Sequence, residues 1–193
     1  MIQLQVSCTV KGNIMLYIFL AEGFEEVEAL ATLDVIRRAG IDVETVGVGS
    51  KYITGSHNIT VKCDIDTDEA TFTGLDGIIL PGGMPGTLNL AADNHVMDAL
   101  KYCFTQGKLI AAICAAPMIP GKEGVLNGKK ATCFPGFEKD LEGAVISERF
   151  VESDGNIITG RGMGSAVNFG IEIVKYFKGD EFAQKLKSTL QCS

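Results

Sequence analysis

Between residues 14 and 190, short apolar runs alternate with stretches whose apolar positions recur every three or four residues. Ile14–Ala21 is an apolar run closed by Glu22-Gly23, a pattern that predicts a buried strand. In Glu25–Ala39 the apolar residues Val27, Leu30, Ala31, Leu33 and Ile36 stand at helical spacing, with acids in the first turn, Arg37 and Arg38 in the last and Gly40 beyond. That charge order suits the helix dipole, and the glycine is a stop signal. Val43–Val48 predicts a strand, Tyr52–Thr54 and Ile59–Cys63 a small β excursion, and Gly77–Leu80 a short strand ended by Pro81-Gly82-Gly83. Val96–Phe104 predicts a helix, with His95 on the surface at its start, and Leu109–Ile113 a strand. Lys130–Cys133, Ala144–Ile146 and Arg149–Glu152 predict short strands, and Asp154-Gly155 a hairpin turn into Ile157–Thr159. Ala166–Phe177 and Asp180–Leu190 read as closing helices. Repeated strand–helix units imply an α/β fold whose parallel sheet is covered on both faces. The acidic cluster Asp64–Glu69 reads as a solvated loop. After Cys114, Pro117 suits the start of a helix, but Pro120-Gly121 breaks it within about a turn, so a short or kinked helix is expected there.

Composition narrows the class. The chain has 193 residues, 46% hydrophobic and 21% charged, as expected of a single globular domain. A net charge of −7 disfavours nucleic acid and anionic membrane as partners, since both need a basic face. No apolar run reaches the ~18 residues of a membrane span. Lys11 with Ile14–Ala21 has some likeness to a secretory leader, cut near Ala21-Glu22-Gly23. Losing the first core strand would open the sheet, so the chain is read as cytoplasmic. Met15 is a candidate start, which makes residues 1–14 an upstream extension or scar and 15–193 one domain. Cys8, Cys63, Cys103, Cys114, Cys133 and Cys192 show no C-x-x-C spacing, and His57 and His95 are the only histidines. No zinc site is expected, and free thiols are. Neither a dinucleotide fingerprint nor a P-loop occurs, so no cofactor is expected.

Open α/β sheets bind ligands beyond the carboxyl ends of their strands. Three such ends carry candidate chemistry. Leu109–Ile113 runs into Cys114 with small residues at Ala112 and Ala116, the layout of a nucleophile elbow. A helix starting beyond it would aim N–H groups at the sulfur and lower the thiol pKa by one or more units from ~8.5. A buried structural cysteine is the plainer alternative. Gly82-Gly83 lets the main chain approach a ligand, and the Gly83 and Ala115 amides form a candidate oxyanion hole. A plain turn would use the same glycines. Glu28 stands beside the apolar stripe of its helix, so its carboxyl points over the sheet end, partly desolvated and raised in pKa. Protonated, it donates to the sulfur; ionised, it serves as a base. Glu25 and Glu26 read as ordinary first-turn acids.

Five ordered segments now carry a resemblance: Ala21-Glu22-Gly23-Phe24-Glu25-Glu26-Val27-Glu28, Asp34–Gly40, Leu80–Gly83, Ala111–Pro117 and Thr159–Gly162. Together they resemble the ThiJ/PfpI superfamily, in the branch of the Parkinsonism-associated deglycase/chaperone, from about Met15 to Leu190. The resemblance implies a flavodoxin-like three-layer sandwich, a homodimer, and Cys114 as an oxidation-prone nucleophile. It places Glu28 against the sulfur, with Gly83 and Ala115 as amide donors. It also implies glutathione-independent glyoxalase or deglycase action on small reactive aldehydes, or a non-catalytic redox-sensing or chaperone role for the same cysteine. Two departures matter. Protease-like members carry His after the cysteine, where this chain has Ala115, which argues against a peptidase. Several close members carry His before a Pro where this chain has Phe134. His57 falls where relatives have a polar or basic residue near the dimer contact, alongside Asp34 and Arg38.

Overall fold

The computed structural model describes residues 14–192; residues 1–13, which include Cys8 and nearly all of the expected extension, lie outside it. The strands are β1 (Met15–Leu20), β2 (Asp42–Gly47), β3 (Tyr52–Thr54), β4 (Thr60–Lys62), β5 (Ile65–Asp66), β6 (Leu75–Leu80), β7 (Leu109–Ile113), β8 (Lys130–Ala131), β9 (Val145–Ile146), β10 (Val151–Asp154) and β11 (Ile157–Gly160). The helices are α1 (Glu26–Arg38), α2 (Gly86–Ala92), α3 (Asn94–Thr105), α4 (Met118–Lys122), α5 (Ala166–Lys178) and α6 (Asp180–Thr189). The main sheet has seven strands in the order β10-β11-β7-β6-β1-β2-β5. All its pairings are parallel except β10 with β11.

Strand alternation sorts the core into two layers. In β1, Leu16, Ile18 and Leu20 face one cluster with Ile36 of α1, Phe169 of α5 and Leu186 of α6. Tyr17 and Phe19 face the other, with Leu90 of α2, Val96 and Leu100 of α3 and Ile119 of α4. Successive side chains on a strand point to opposite faces, so one apolar run serves both layers. The result is the expected flavodoxin-like α/β sandwich.

Two details depart from the sequence expectation and a third follows it. Asp64–Glu69 is not wholly a solvated loop. Ile65–Asp66 pairs with β2, and Asp64 Oδ2 accepts from Thr45 N at 2.9 Å, Thr45 Oγ1 at 2.8 Å and Arg37 Nη2 at 2.7 Å. Those partners come from β2 and α1, far along the chain, so no local pattern marks them. Helix α2 follows Pro85 without a side-chain cap, and it was not foreseen for want of that signal. Beyond Cys114 the chain makes turns at Ala115–Pro117 before the five-residue α4, the short helix that Pro120-Gly121 implied.

Candidate active site

The carboxyl ends of the adjacent strands β1, β6 and β7 open on one edge. In register, Ile18 stands beside Ile79 and Leu80 beside Ala112, so the residues that follow each strand meet there. Cys114 has φ +66°, a left-handed conformation that non-glycine residues seldom take, at a cost of order 1–3 kcal/mol. Main-chain bonds hold it. Cys114 N donates to Gly160 O at 2.9 Å, Phe134 N to Cys114 O at 2.8 Å and Ala116 N to Ile113 O at 3.1 Å. Three segments therefore clamp the bend from both sides, and the sulfur stands at a sharp strand-to-loop turn as the elbow pattern requires.

Glu28 reaches this bend from α1. It is 1% exposed, and its Oε2 accepts the Gly82 N–H at 2.9 Å. Its Oε1 is buried with no strict hydrogen-bond partner; the Cys114 thiol, a weak donor, lies against the carboxyl. Glu25 positions the turn. Its Oε2 accepts the Glu28 N–H at 2.7 Å as the helix N-cap, and its own N–H donates to Gly82 O at 2.9 Å. A side chain on Gly82 has no room, since a Cβ would lie 2.6 Å from Cys114 Cβ and 2.7 Å from Glu28 Oε2. Gly83 has φ +93° and packs on the Gly23–Glu25 main chain. The Gly83 and Ala115 amides both donate toward the Cys114 sulfur.

Burial pushes the Glu28 carboxyl up to about 7, with the Glu25 charge adding to it and the Cys114 and Gly82 hydrogen bonds opposing. The raised carboxyl is as expected. The thiol is not. Burial, the Glu28 charge and the Glu28 hydrogen bond push Cys114 up to about 12, outweighing the Ala115 and Gly83 amides. The expected depression assumed a helix N-terminus beyond the cysteine, and the structure has turns there. Two amides alone do not offset burial together with a neighbouring carboxylate. Proton exchange between the two groups, rather than a standing thiolate, is the chemistry this pair supports.

Glu26 stands in the first turn of α1, as expected, but it is only 3% exposed. Its oxygens accept His57 N at 2.7 Å, Ser56 Oγ at 3.3 Å and Ile59 N at 3.5 Å, with His57 Nδ1 at 3.0 Å. It therefore anchors the β3–β4 turn to α1. His57 itself is exposed. Glu25, Glu26 and His57 place their ligand atoms within 4.8 Å of one another, one group among the described residues that could hold a metal ion. Glu26 and His57 Nδ1 already bond to each other, and Glu25 Oε2 caps α1. Asp34 and Arg38 form an exposed ion pair at 2.6 Å. Arg38 lies ten residues past Glu28, ~15 Å along the helix, so neither residue joins the Cys114 site within one chain. Phe134 is 48% exposed, joined to the elbow by its amide. Phe150 and Met163, which line the same hollow as Phe134, were not singled out from the sequence; isolated apolar residues in polar loops give no periodic signal.

Comparison with known proteins gives the family and the fold. Residues 15–176 match the model of the DJ-1/PfpI family. The chain is 36% identical over 189 residues to protein DJ-1 homolog B of Arabidopsis thaliana, covering 96% of this chain but 43% of that longer protein. It is 35% identical over 176 residues to protein dj-1beta of Drosophila melanogaster, covering 90% of this chain and 94% of the fly protein. Deglycase PfpI of Pyrococcus furiosus is 33% identical over 161 residues, covering 82% and 96% respectively. Among solved structures, oxidized Toxoplasma gondii DJ-1 superposes with a TM-score of 0.89 at 30% identity, covering 93% of this chain and 99% of the other.

Proposed function

The chain belongs to the DJ-1/PfpI family, and on that premise we propose that it is a cysteine-dependent enzyme acting on small reactive aldehydes. The observation that carries the reading is the meeting, at one sheet edge, of Cys114 at positive φ, a carboxyl raised to about 7 and two converging amides. A general base is most effective when its pKa lies near the working pH. Ionised Glu28 takes the thiol proton as sulfur attacks the aldehyde carbon of methylglyoxal. The C–S bond forms, and the carbonyl oxygen, on the carbon that now bears the sulfur, collects the negative charge within reach of the Gly83 and Ala115 amides. It then receives a proton, giving a hemithioacetal. Glu28 next moves a proton from the former aldehyde carbon to its neighbour, which converts the pair into a thioester and an alcohol with no external oxidant. Water cleaves the thioester to lactate and the free thiol. Loss of lactate release in Cys114→Ser is expected; equal rates in the two proteins would overturn the reading.

A second reading keeps the cysteine and drops turnover. The absence of a histidine at Ala115 and at Phe134 favours it, as does the oxidized form named for the Toxoplasma relative. Two peroxide molecules each transfer one oxygen to the Cys114 sulfur and leave as water, giving a sulfinate beside Glu28. Intact mass after mild peroxide should rise by two oxygens in wild type and not in Cys114→Ala. Indiscriminate gain at all cysteines would count against it. In either reading we infer a homodimer in which His57, Asp34 and Arg38 approach the partner, to be checked by light scattering. No described helix is long and apolar enough to cross a membrane.

A further inference from the structure

Beside the elbow lies an open hollow of about 350 Å³ walled by Phe134, Pro135, Phe150 and Met163. Phe134, Phe150 and Met163 are 48%, 70% and 54% exposed. Three large apolar side chains facing water side by side is an arrangement that usually serves a ligand or partner. The main chain pins the hollow to the site. The Phe134 amide donates to Cys114 O at 2.8 Å, and the Arg161 amide donates to Phe150 O at 2.9 Å. Gly162 forms the floor beneath the Phe134 ring, since a Cβ there would lie 3.3 Å from Phe134 Cδ2. The polar side chains at its edge are engaged elsewhere: Ser165 Oγ donates to Gly162 O at 2.8 Å, and Arg161 Nη1 donates to Glu148 O at 2.8 Å.

We propose that this hollow is a subsite for a flat apolar substituent, an aryl ring above all, on the electrophile that Cys114 attacks. The substrate class is then 2-oxoaldehydes bearing an aromatic group rather than a methyl. A methyl leaves most of the hollow wet, whereas a ring can lie against Phe134 and Phe150 in the offset or edge-on contacts that aromatic pairs prefer. The assignment of substrate rests on the aldehyde reading above. The subsite itself does not, because any electrophile that reaches the sulfur reports on it.

The test measures alkylation of the Cys114 peptide by N-phenylmaleimide and by N-methylmaleimide, each rate divided by that with free cysteine. In this addition the thiol sulfur bonds to one alkene carbon and its proton ends on the other. A corrected preference of about tenfold or more for the phenyl reagent is expected, falling towards parity in Phe150→Ala and Met163→Ala. A corrected ratio near one in wild type, or a preference that survives both substitutions, would overturn the subsite. So would a change in oligomeric mass in Phe150→Ala with the reagent preference intact, which would give the apolar wall to a second copy of the chain. Phenylglyoxal and methylglyoxal turnover separates the two readings. Phenyl preference in alkylation with turnover of neither aldehyde supports the subsite and ends the aldehyde reading. Turnover of both at equal kcat/KM, with equal corrected alkylation, ends the subsite and leaves the aldehyde reading standing.

Discussion

Glu26 and Glu28 stand two residues apart on one helix, both sealed from solvent at 3% and 1% exposed, and they titrate in opposite directions. Residues i and i+2 do not share a helix face. Glu26 therefore turns to the β3–β4 loop and Glu28 to the sheet edge. For Glu26, burial pushes the carboxyl up, but hydrogen bonds from His57 and the main chain outweigh it and hold it below its usual value. For Glu28, burial wins, because a single N–H and a weak thiol donor serve the whole carboxyl. The loop over Glu26 is a thin cover, and the sheet edge around Glu28 is deep. Donor count and depth decide the sign, and residue type does not. The saturated carboxylate holds a loop in place; the under-satisfied one is poised to exchange a proton.

The sharpest break of this contrast is Glu28→Gln. A glutamine keeps an acceptor for the Gly82 N–H but cannot take the thiol proton. Aldehyde turnover should fall about 10²–10⁴-fold, the usual worth of a positioned acid–base group. Lactate assays at saturating methylglyoxal check it, and a loss under about threefold would remove Glu28 from the chemistry.

The same substitution should act on stability with the opposite sign. The folded-state value of Glu28, about 7, exceeds the unfolded reference of 4.5, so the native state binds the extra proton between them. Its contribution is then fully present below 4.5 and declines as pH rises to about 7. Against wild type, Glu28→Gln should gain stability across that window, levelling off at roughly 3 kcal/mol. Urea unfolding at three pH values measures this, and a flat difference would contradict the raised carboxyl.

Glu26→Gln tests the other half. Its carboxyl is depressed in the fold, so its contribution is present above 4.5 and is lost as pH falls through the folded value. A glutamine keeps one oxygen for the His57 and Ile59 N–H groups but sets an uncharged amide NH2 where Ser56 Oγ and His57 Nδ1 met the carboxylate. A destabilisation of about 1–3 kcal/mol is expected at neutral pH, shrinking in acid. Cys114 alkylation should be unchanged.

How much of this was legible beforehand follows from where each signal lies. The strands that carry Cys114 and Gly82 announce themselves by apolar runs closed by turn residues, and β7 spans Leu109–Ile113 as the pattern predicts. Glu28 was legible because its place beside an amphipathic stripe follows from helical period alone. Glu26 was not, because its partners Ser56, His57 and Ile59 come from a turn thirty residues on. The direction of the Cys114 thiol was misread for a similar reason. The local pattern suggested a helix N-terminus, while burial in the assembled fold, joined by the Glu28 charge from 86 positions upstream, raises the thiol. The apolar wall of Phe134, Phe150 and Met163 is likewise assembled from three loops.

The smallest effect belongs to His57→Ala. The side chain is 70% exposed, yet the Glu26 hydrogen bond and charge raise its pKa above 6.5. Stability from the charged imidazole is fully present below 6.5 and is lost as pH rises through the folded value. Wild type and His57→Ala should therefore differ slightly in acid and converge as the pH is raised. The main-chain N–H of residue 57 keeps its bond to Glu26 in the variant, so the loop should stay in place. If His57 also reaches the partner's Cys114 site in the dimer, the pH profile of Cys114 alkylation will shift in the variant. An unshifted profile would confine His57 to its loop and leave Glu28 as the ionisable group that sets the behaviour of the thiol.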